Sequence, residues 1–429
     1  MSEASLVDAR AMLERLVSEW QVPLTAMLEI SDRCNEVCVH CYQQQGQKGE
    51  MTTEQVCAVL DELAELGVLL LTISGGEATL RSDFLQIVEH ARRKGFAVRL
   101  FTNGLTMTRE LAQALGRLAL QCVEISLYST RAEVHDFVTG VPGSFERTVG
   151  GVRALVEADV PVLIKSPVMS VNEHETEAYA AFAASLGADY GWSVGEILPR
   201  EGGDRSTEAF EPEDRTRVRL MRELGGDTEP GARPTRPLDN APCGAGATIH
   251  VEPNGELRPC TQLEVELGHA LRDGIAHARA TNGRLLGLRK LTWKQLHGCR
   301  ECDLRAFCQH CYAAALAQAG DALGPYPGAC RAAAIQYEAR TGHPARILVD
   351  EASPSAGPYQ ALGDHTFKPL PDRVRAEDDA LAAQLGWTRR AVARPPAPHM
   401  AARPGELIQI RRPGRKKSSL ERIPPAGGA

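Results

Sequence analysis

Residues 25–43, TAMLEISDRCNEVCVHCYQ, join a short apolar run to a loop that carries Cys34, Cys38 and Cys41 within eight positions. The run TAMLEI (25–30) reads as a strand. Five further strand candidates follow it: LLLTIS (69–74), AVRLFT (97–102), CVEISLY (122–128), PVLIKS (161–166) and WSVGEIL (192–198). Each is followed by a stretch long enough for a crossover helix. The clearest is TTEQVCAVLDELAELG, in which Thr52 and Gln55 set up a capping box and Val56, Leu60, Leu63 and Leu66 form one apolar face. Gly67 then stands where a helix-terminating glycine is expected. Six such units in series predict parallel strands joined by right-handed crossovers: an α/β fold, a partial (βα)6 TIM-like barrel over residues 25–225. In that architecture the loops after the strands share one face. The three-cysteine loop is one of them, with SGGEAT after strand two, TNG after strand three and SLYS at the end of strand four.

The chain of 429 residues is 43% hydrophobic, enough for more than one core. A net charge of −7 and a pI near 6.0 give no reason to expect a nucleic acid or an anionic membrane as partner. The start, MSEASLVDARAMLERL, lacks the charged and apolar regions of a signal peptide, and GVLLLTI is too short to span a bilayer. A cytoplasmic protein is therefore expected, with residues 1–24 as an N-terminal helix. Twelve cysteines in a reducing compartment do not suggest a disulfide framework. Three lie at 34–41 and seven between 243 and 330, and clustered thiols point to metal. Cys57, within a helix, and Cys122, at a strand start, read as inert core thiols. Residues 226–242 read as a Pro/Gly-rich linker, 243–335 as a small cysteine-rich domain, and 336–429 as an irregular extension with a disordered basic tip.

Structural zinc takes four protein ligands, whereas the first loop supplies three thiols, with His40 too close to Cys41 to share an ion. A [4Fe–4S] cluster on three thiolates fits the count and leaves one iron open to a small molecule. Singly, the other loops are plain: a Gly-Gly-Glu is a turn more often than a binding loop, and Asn103 before Gly104 is a turn signal. Lys165, near the end of strand five, reads either as a solvated end-of-strand charge or as a site residue.

Cys-x3-Cys-x2-Cys followed by the aromatic Tyr42, on the first loop of such a barrel, resembles the signature of radical S-adenosylmethionine enzymes. The resemblance implies that the open iron binds the amino and carboxylate groups of S-adenosylmethionine. It also implies reductive cleavage of the sulfonium to methionine and a 5′-deoxyadenosyl radical, which abstracts a hydrogen atom from the substrate. On the same resemblance Tyr42 belongs to the cofactor site, Gly75 and Gly76 let the backbone approach the methionine moiety, and Glu77 lies near its ammonium. Asn103 and Ser126 line the site, Ser126 near the ribose, and Leu198, ending strand six, packs on the adenine. Two positions depart from the family: Ala78 where proline is frequent, and Thr139 where many relatives carry an arginine.

Farther on, CGAGATIHVEPNGELRPC (243–260) and CRECDLRAFCQHC (299–311) are followed by Cys330. On spacing alone zinc knuckles and iron–sulfur ligation both stand. After a radical S-adenosylmethionine barrel the order resembles the SPASM domain, which carries two auxiliary [4Fe–4S] clusters, although two residues rather than three separate Cys308 from Cys311. The resemblance implies one cluster on Cys299, Cys302, Cys308 and Cys330, and another on Cys243, Cys260 and Cys311 that lacks one protein thiolate. His250, Asp239 and His310 are candidates for the missing ligand by proximity. It further implies a maturase acting on a ribosomally made peptide or protein, served by a flavodoxin- or ferredoxin-type electron donor. About 24 residues before strand one are too few for a fused recognition domain, so either a separate peptide-recognition protein or the C-terminal extension is expected to hold the substrate. Two other readings are a small-molecule enzyme that modifies tetrapyrrole side chains and a non-catalytic zinc-binding scaffold. No substrate acid or base is singled out by the sequence.

Overall fold

The computed structural model describes residues 23–224, 237–300 and 302–343, together with 347–348, 365–366, 380–385 and 387. Most of the expected N-terminal helix, most of the 226–242 linker and most of the 336–429 extension lie outside the described residues.

Strand β1 (Thr25–Ser31) alternates faces. Ala26, Leu28 and Ile30 bury against the helices, while Glu29 and Ser31 turn to the opposite side. Helix α1 (Thr53–Glu65) begins with the expected capping box, Thr52 and Gln55 satisfying each other's backbone N–H. Its buried stripe is Val56, Val59, Leu60 and Leu63. Leu66 is the C-cap and only partly buried, and Gly67 follows at φ +85°. The remaining units are β2 (Leu70–Gly75), α2 (Phe84–Arg93), β3 (Ala97–Thr102), α3 (Arg109–Arg117), β4 (Cys122–Ser126), α4 (Ala132–Thr139) with α5 (Ser144–Glu157), β5 (Val162–Pro167), α6 (Thr176–Ser185) and β6 (Asp189–Ser193). The strands pair in parallel and in sequence order, β1 to β6, as a partial barrel requires.

Two features differ from expectation. Strand six is Asp189–Ser193 rather than 192–198, so Leu198 lies beyond it. This strand pairs only with β5 at the sheet edge and is half exposed, so no buried apolar run marks it. The apolar residues that suggested a longer strand bury in the following loop, Val194 beside Val168 and Ile197 beside Cys38. The sheet also continues past β1. After helix α7 (Asp214–Leu224), β7 (Ile249–Val251) adds parallel to β1 and β8 (Leu257–Arg258) returns antiparallel to it.

The cysteine-rich region is thus joined to the barrel through the sheet itself, and one apolar core runs through both. Leu28, Leu60, Ile73 and Ile125 belong to the same buried cluster as Leu257, Trp293, Phe307 and Tyr312. Each such fully buried side chain contributes about 1.5–3 kcal/mol. No described helix is long and apolar enough to cross a membrane.

Candidate active site

The cysteine loop leaves β1 at Ser31 and is tied down along its length. Asp32 closes it: its carbonyl accepts from Gly46 N–H (2.9 Å) and its Oδ2 from Lys48 N–H (2.7 Å). Val37 and Val39 donate to the carbonyls of Thr139 and Val138 at the end of α4, both at 2.9 Å. From beyond β6, Arg200 donates to the carbonyls of Cys41 (2.7 Å) and Val39 (3.0 Å). Cys38 is buried, and Cys34 and Cys41 are partly buried. Burial pushes the Cys34 thiol up to about 12 and raises Cys38 and Cys41, with Cys41 adding to both of the others. Thiols this deep form thiolates only with a strong positive partner, which suits a metal or cluster and not a free nucleophile.

The glycines of the second loop serve the cysteine loop directly. A Cβ on Gly75, whose φ is +143°, would stand 2.2 Å from the Ser31 carbonyl oxygen. One on Gly76 would stand 2.4 Å from that of Arg33 and 3.2 Å from Cys34 Cβ. Only bare backbone allows Gly76 N–H and Glu77 N–H to donate to Ser31 and Arg33, at 2.7 and 2.8 Å. Glu77 is buried beneath, where Oε1 accepts from Thr79 Oγ1 (2.6 Å) and Thr102 Oγ1 (2.8 Å) and Oε2 from Asn103 N–H (2.7 Å). It fastens the loops after β2 and β3 together. Asn103 carries the chain of contacts to the cysteines, its amide donating to Asn35 Oδ1 (2.6 Å) and lying 3.9 Å from Cys34 Sγ.

Gly75, Gly76, Glu77 and Asn103 therefore converge on Cys34. Ser126, at the end of β4, stands two residues before Tyr128, whose hydroxyl lies 3.8 Å from Cys38 Sγ on the opposite side of the loop. Tyr42 points elsewhere, its hydroxyl 3.4 Å from Glu29 Oε1. Leu198 packs on the main core, and its neighbour Ile197 is the residue that clusters with Cys38, Val39 and Tyr128. Thr139 is buried and hydrogen-bonded to Ser144 (2.7 Å). Lys165 is neither a free surface charge nor a neighbour of the cysteines. It pairs with Glu124 at 2.9 Å and lies 3.1 Å over the Phe101 ring. Asn35, Tyr128 and Arg200 were not singled out by the sequence. Arg200 stands 159 residues from Cys41 with no local pattern to mark it.

In the C-terminal region Cys299, Cys302, Cys308 and Cys330 line one apolar cavity with Trp293 and Tyr326. Burial raises the thiols of Cys299, Cys302 and Cys330, and the other thiols of the group add to Cys299 and Cys330. Cys311 is pushed up to about 12 by burial, with Cys243 and Cys260 adding to it, so these three make a second group. Of the three candidates for a missing ligand, Asp239 is exposed and paired with Lys294, and His310 lines the four-cysteine cavity and bonds the Ala322 carbonyl (2.8 Å). His250 on β7 faces Glu29 at 3.8 Å. Cys57 and Cys122 are half-buried and so are not core thiols.

Residues 28–183, which hold the three-cysteine loop and the Gly-Gly-Glu loop, match the radical SAM superfamily. These residues form a radical SAM domain. Such a domain implies a [4Fe–4S] cluster and S-adenosylmethionine as cofactors, and the thiol triad set against a bare-backbone loop suits them. Among curated proteins the chain is 28% identical over 345 residues to the AdoMet-dependent heme synthase of Methanosarcina barkeri, covering 73% of this chain and 97% of that one. It is 35% identical over 181 residues to the mycofactocin maturase MftC of Mycolicibacterium smegmatis, covering 41% of this chain and 46% of that one. The chain thus spans about half the length of that maturase. Among solved structures it shares its fold with anSMEcpe bound to AdoMet and the Kp18Cys peptide, with a TM-score of 0.59 and 16% identity, over 74% of this chain and 96% of that one.

Proposed function

We propose that Cys34, Cys38 and Cys41 hold the [4Fe–4S] cluster of a radical SAM enzyme that modifies a side chain of a ribosomally made peptide or protein. When bound, the cluster and S-adenosylmethionine supply one-electron cleavage of the sulfonium and a 5′-deoxyadenosyl radical. The chain's own residues orient and enclose. Gly75 and Gly76 hold the second loop against the cysteines, Glu77 and Asn103 lock the third loop to it, and Ser126, Tyr128 and Ile197 close the Cys38 side. The observation that carries the reading is the convergence of these loops on one thiol triad whose Cys38 is buried and whose Cys34 and Cys41 are partly buried. Peptide work is supported by the likeness to a named maturase and by a fold shared with a structure that holds a peptide. Tyr42 and Leu198 remain assigned to the cofactor site, the Tyr42 hydroxyl near Glu29 and Leu198 packed on the main core.

Cys299, Cys302, Cys308 and Cys330 are assigned to one auxiliary cluster of a SPASM-type module, and Cys243, Cys260 and Cys311 to a second that is one protein thiolate short. A flavodoxin- or ferredoxin-type protein supplies the electron, and a separate protein presents the peptide. One observation favours a second reading: the match to a heme synthase runs over nearly the whole of that protein, which fits a tetrapyrrole side chain as substrate.

Anaerobic iron and sulfide analysis of the wild type and of the Cys34/Cys38/Cys41→Ala variant tests the assignment. Twelve irons are expected to fall to about eight, with 5′-deoxyadenosine formation lost. About four irons with bound zinc would leave the radical chemistry and make the C-terminal groups structural. No iron and no nucleoside would end the reading. Incubation with candidate precursor peptides and with porphyrins, followed by mass spectrometry, separates the two substrate classes.

A further inference from the structure

Where β7 joins β1, Glu29, His250 and Glu252 come together with all their ligand atoms within 4.8 Å of one another, and each side chain is 3% exposed. The pairing of Met27 with His250 and of Leu28 with Val251 places them on the same face of the sheet. Each carboxylate spends one oxygen on the chain and keeps the other for the cluster. Glu29 Oε1 accepts from Gln43 (2.8 Å) and Tyr42 (3.4 Å), and Glu252 Oε1 from Lys48 (3.0 Å) and Arg258 Nε (2.8 Å). Glu252 Oε2 and both ring nitrogens of His250 are buried with no hydrogen-bond partner among the described residues. A buried polar atom left so costs about 1–3 kcal/mol.

The spacing decides what satisfies them. His250 Nε2 lies 3.8 Å from Glu29 Oε2, beyond hydrogen-bond reach. Two atoms each about 2.1 Å from a shared ion stand up to about 4.2 Å apart, so one cation fits between them. A single cation would take one ring nitrogen of His250 together with an oxygen from each of Glu29 and Glu252. The charge around the cluster permits it: Glu29, Glu252 and Glu201 face Lys48 and Arg258, with Glu256 at the rim, so carboxylates are in excess.

We propose that Glu29, His250 and Glu252 bind a divalent first-row cation, of which the one-nitrogen, two-carboxylate donor set suits Mn2+ or Zn2+. The ion is structural. It fastens β7 to β1, and through Glu29 it steadies Tyr42 and Gln43, the two residues that follow Cys41.

The probe is Mn2+, titrated into the full-length, anaerobically reconstituted protein and counted from the electron paramagnetic resonance of the free ion. About one Mn2+ per chain is expected, displaced by Zn2+, with affinity lower by on the order of 100-fold in His250→Ala and Glu252→Gln. Asp239→Asn, at an exposed ion pair, should bind as the wild type does. Iron content checks that each variant is folded. If the variants lose iron, nitrogen coupling to Mn2+ in the wild type decides instead: its presence supports His250 ligation. No bound Mn2+ at millimolar concentration together with no zinc in the purified protein, undiminished binding in well-folded variants, or bound Mn2+ without nitrogen coupling would each overturn the proposal.

Discussion

Gly76 shows how little room the site leaves at the scale of one residue. A methyl group there meets the Arg33 carbonyl at 2.4 Å, and that carbonyl is backbone, already held by Glu77 N–H. Gly76→Ala is therefore expected to lift the second loop off the cysteines at a cost of about 1–3 kcal/mol. Iron retained per chain and 5′-deoxyadenosine formed should both fall, and iron analysis after gel filtration measures the first directly. A second residue gives a pH effect. His135 is fully buried, its Nδ1 accepts from Tyr128 N–H (3.1 Å), and burial lowers its pKa from the ordinary 6.5 to about 4. The unfolded chain therefore binds the extra proton between those values. The stability that His135 contributes is complete above about pH 6.5 and is lost as pH falls toward 4, by up to about 3 kcal/mol. Urea unfolding at pH 7 and pH 5 should show a smaller loss for His135→Gln than for the wild type; an equal loss would refute the assignment.

At the scale of elements, helix α1 was legible nearly residue by residue, because its signals are local. The Thr52–Gln55 capping box and the glycine after its last turn need no tertiary context. Thr52→Ala is expected to cost about 1 kcal/mol, read as a lower urea midpoint with an unchanged slope. Strand six was less legible. An edge strand carries no buried alternation, so the apolar Val194 and Ile197 drew the expected strand toward the loop that follows it. Leu198 therefore lies in the loop beyond the strand and not at its end. Strands β7 and β8 span three and two residues, too short to give a period, and became strands by pairing with β1 and with each other.

At the scale of the molecule, the eight-stranded sheet and the main buried cluster run from the barrel into the cysteine-rich region. A fragment ending at residue 242 would lose β7 and leave β1 as an open, apolar edge. It would also strip cover from core residues such as Leu28 and Leu60. Such a fragment is expected to aggregate and to retain little iron at the first loop. Size-exclusion chromatography alongside the full chain checks this, and a monomeric fragment with a full complement of about four irons would show the barrel to be independent.

The sequence by itself determined the parallel α/β order, the three-thiol loop and the clustering of the later cysteines, because each is written in short-range spacing or local propensity. Only the tertiary structure decided which later cysteines share a cavity, that Arg200 secures the loop from 159 residues away, that Tyr42 turns toward Glu29, and that His250 meets two carboxylates on the barrel edge instead of a cysteine group. Those outcomes depend on which strand pairs with β1 and on what burial leaves unsatisfied, and both are properties of the assembled core.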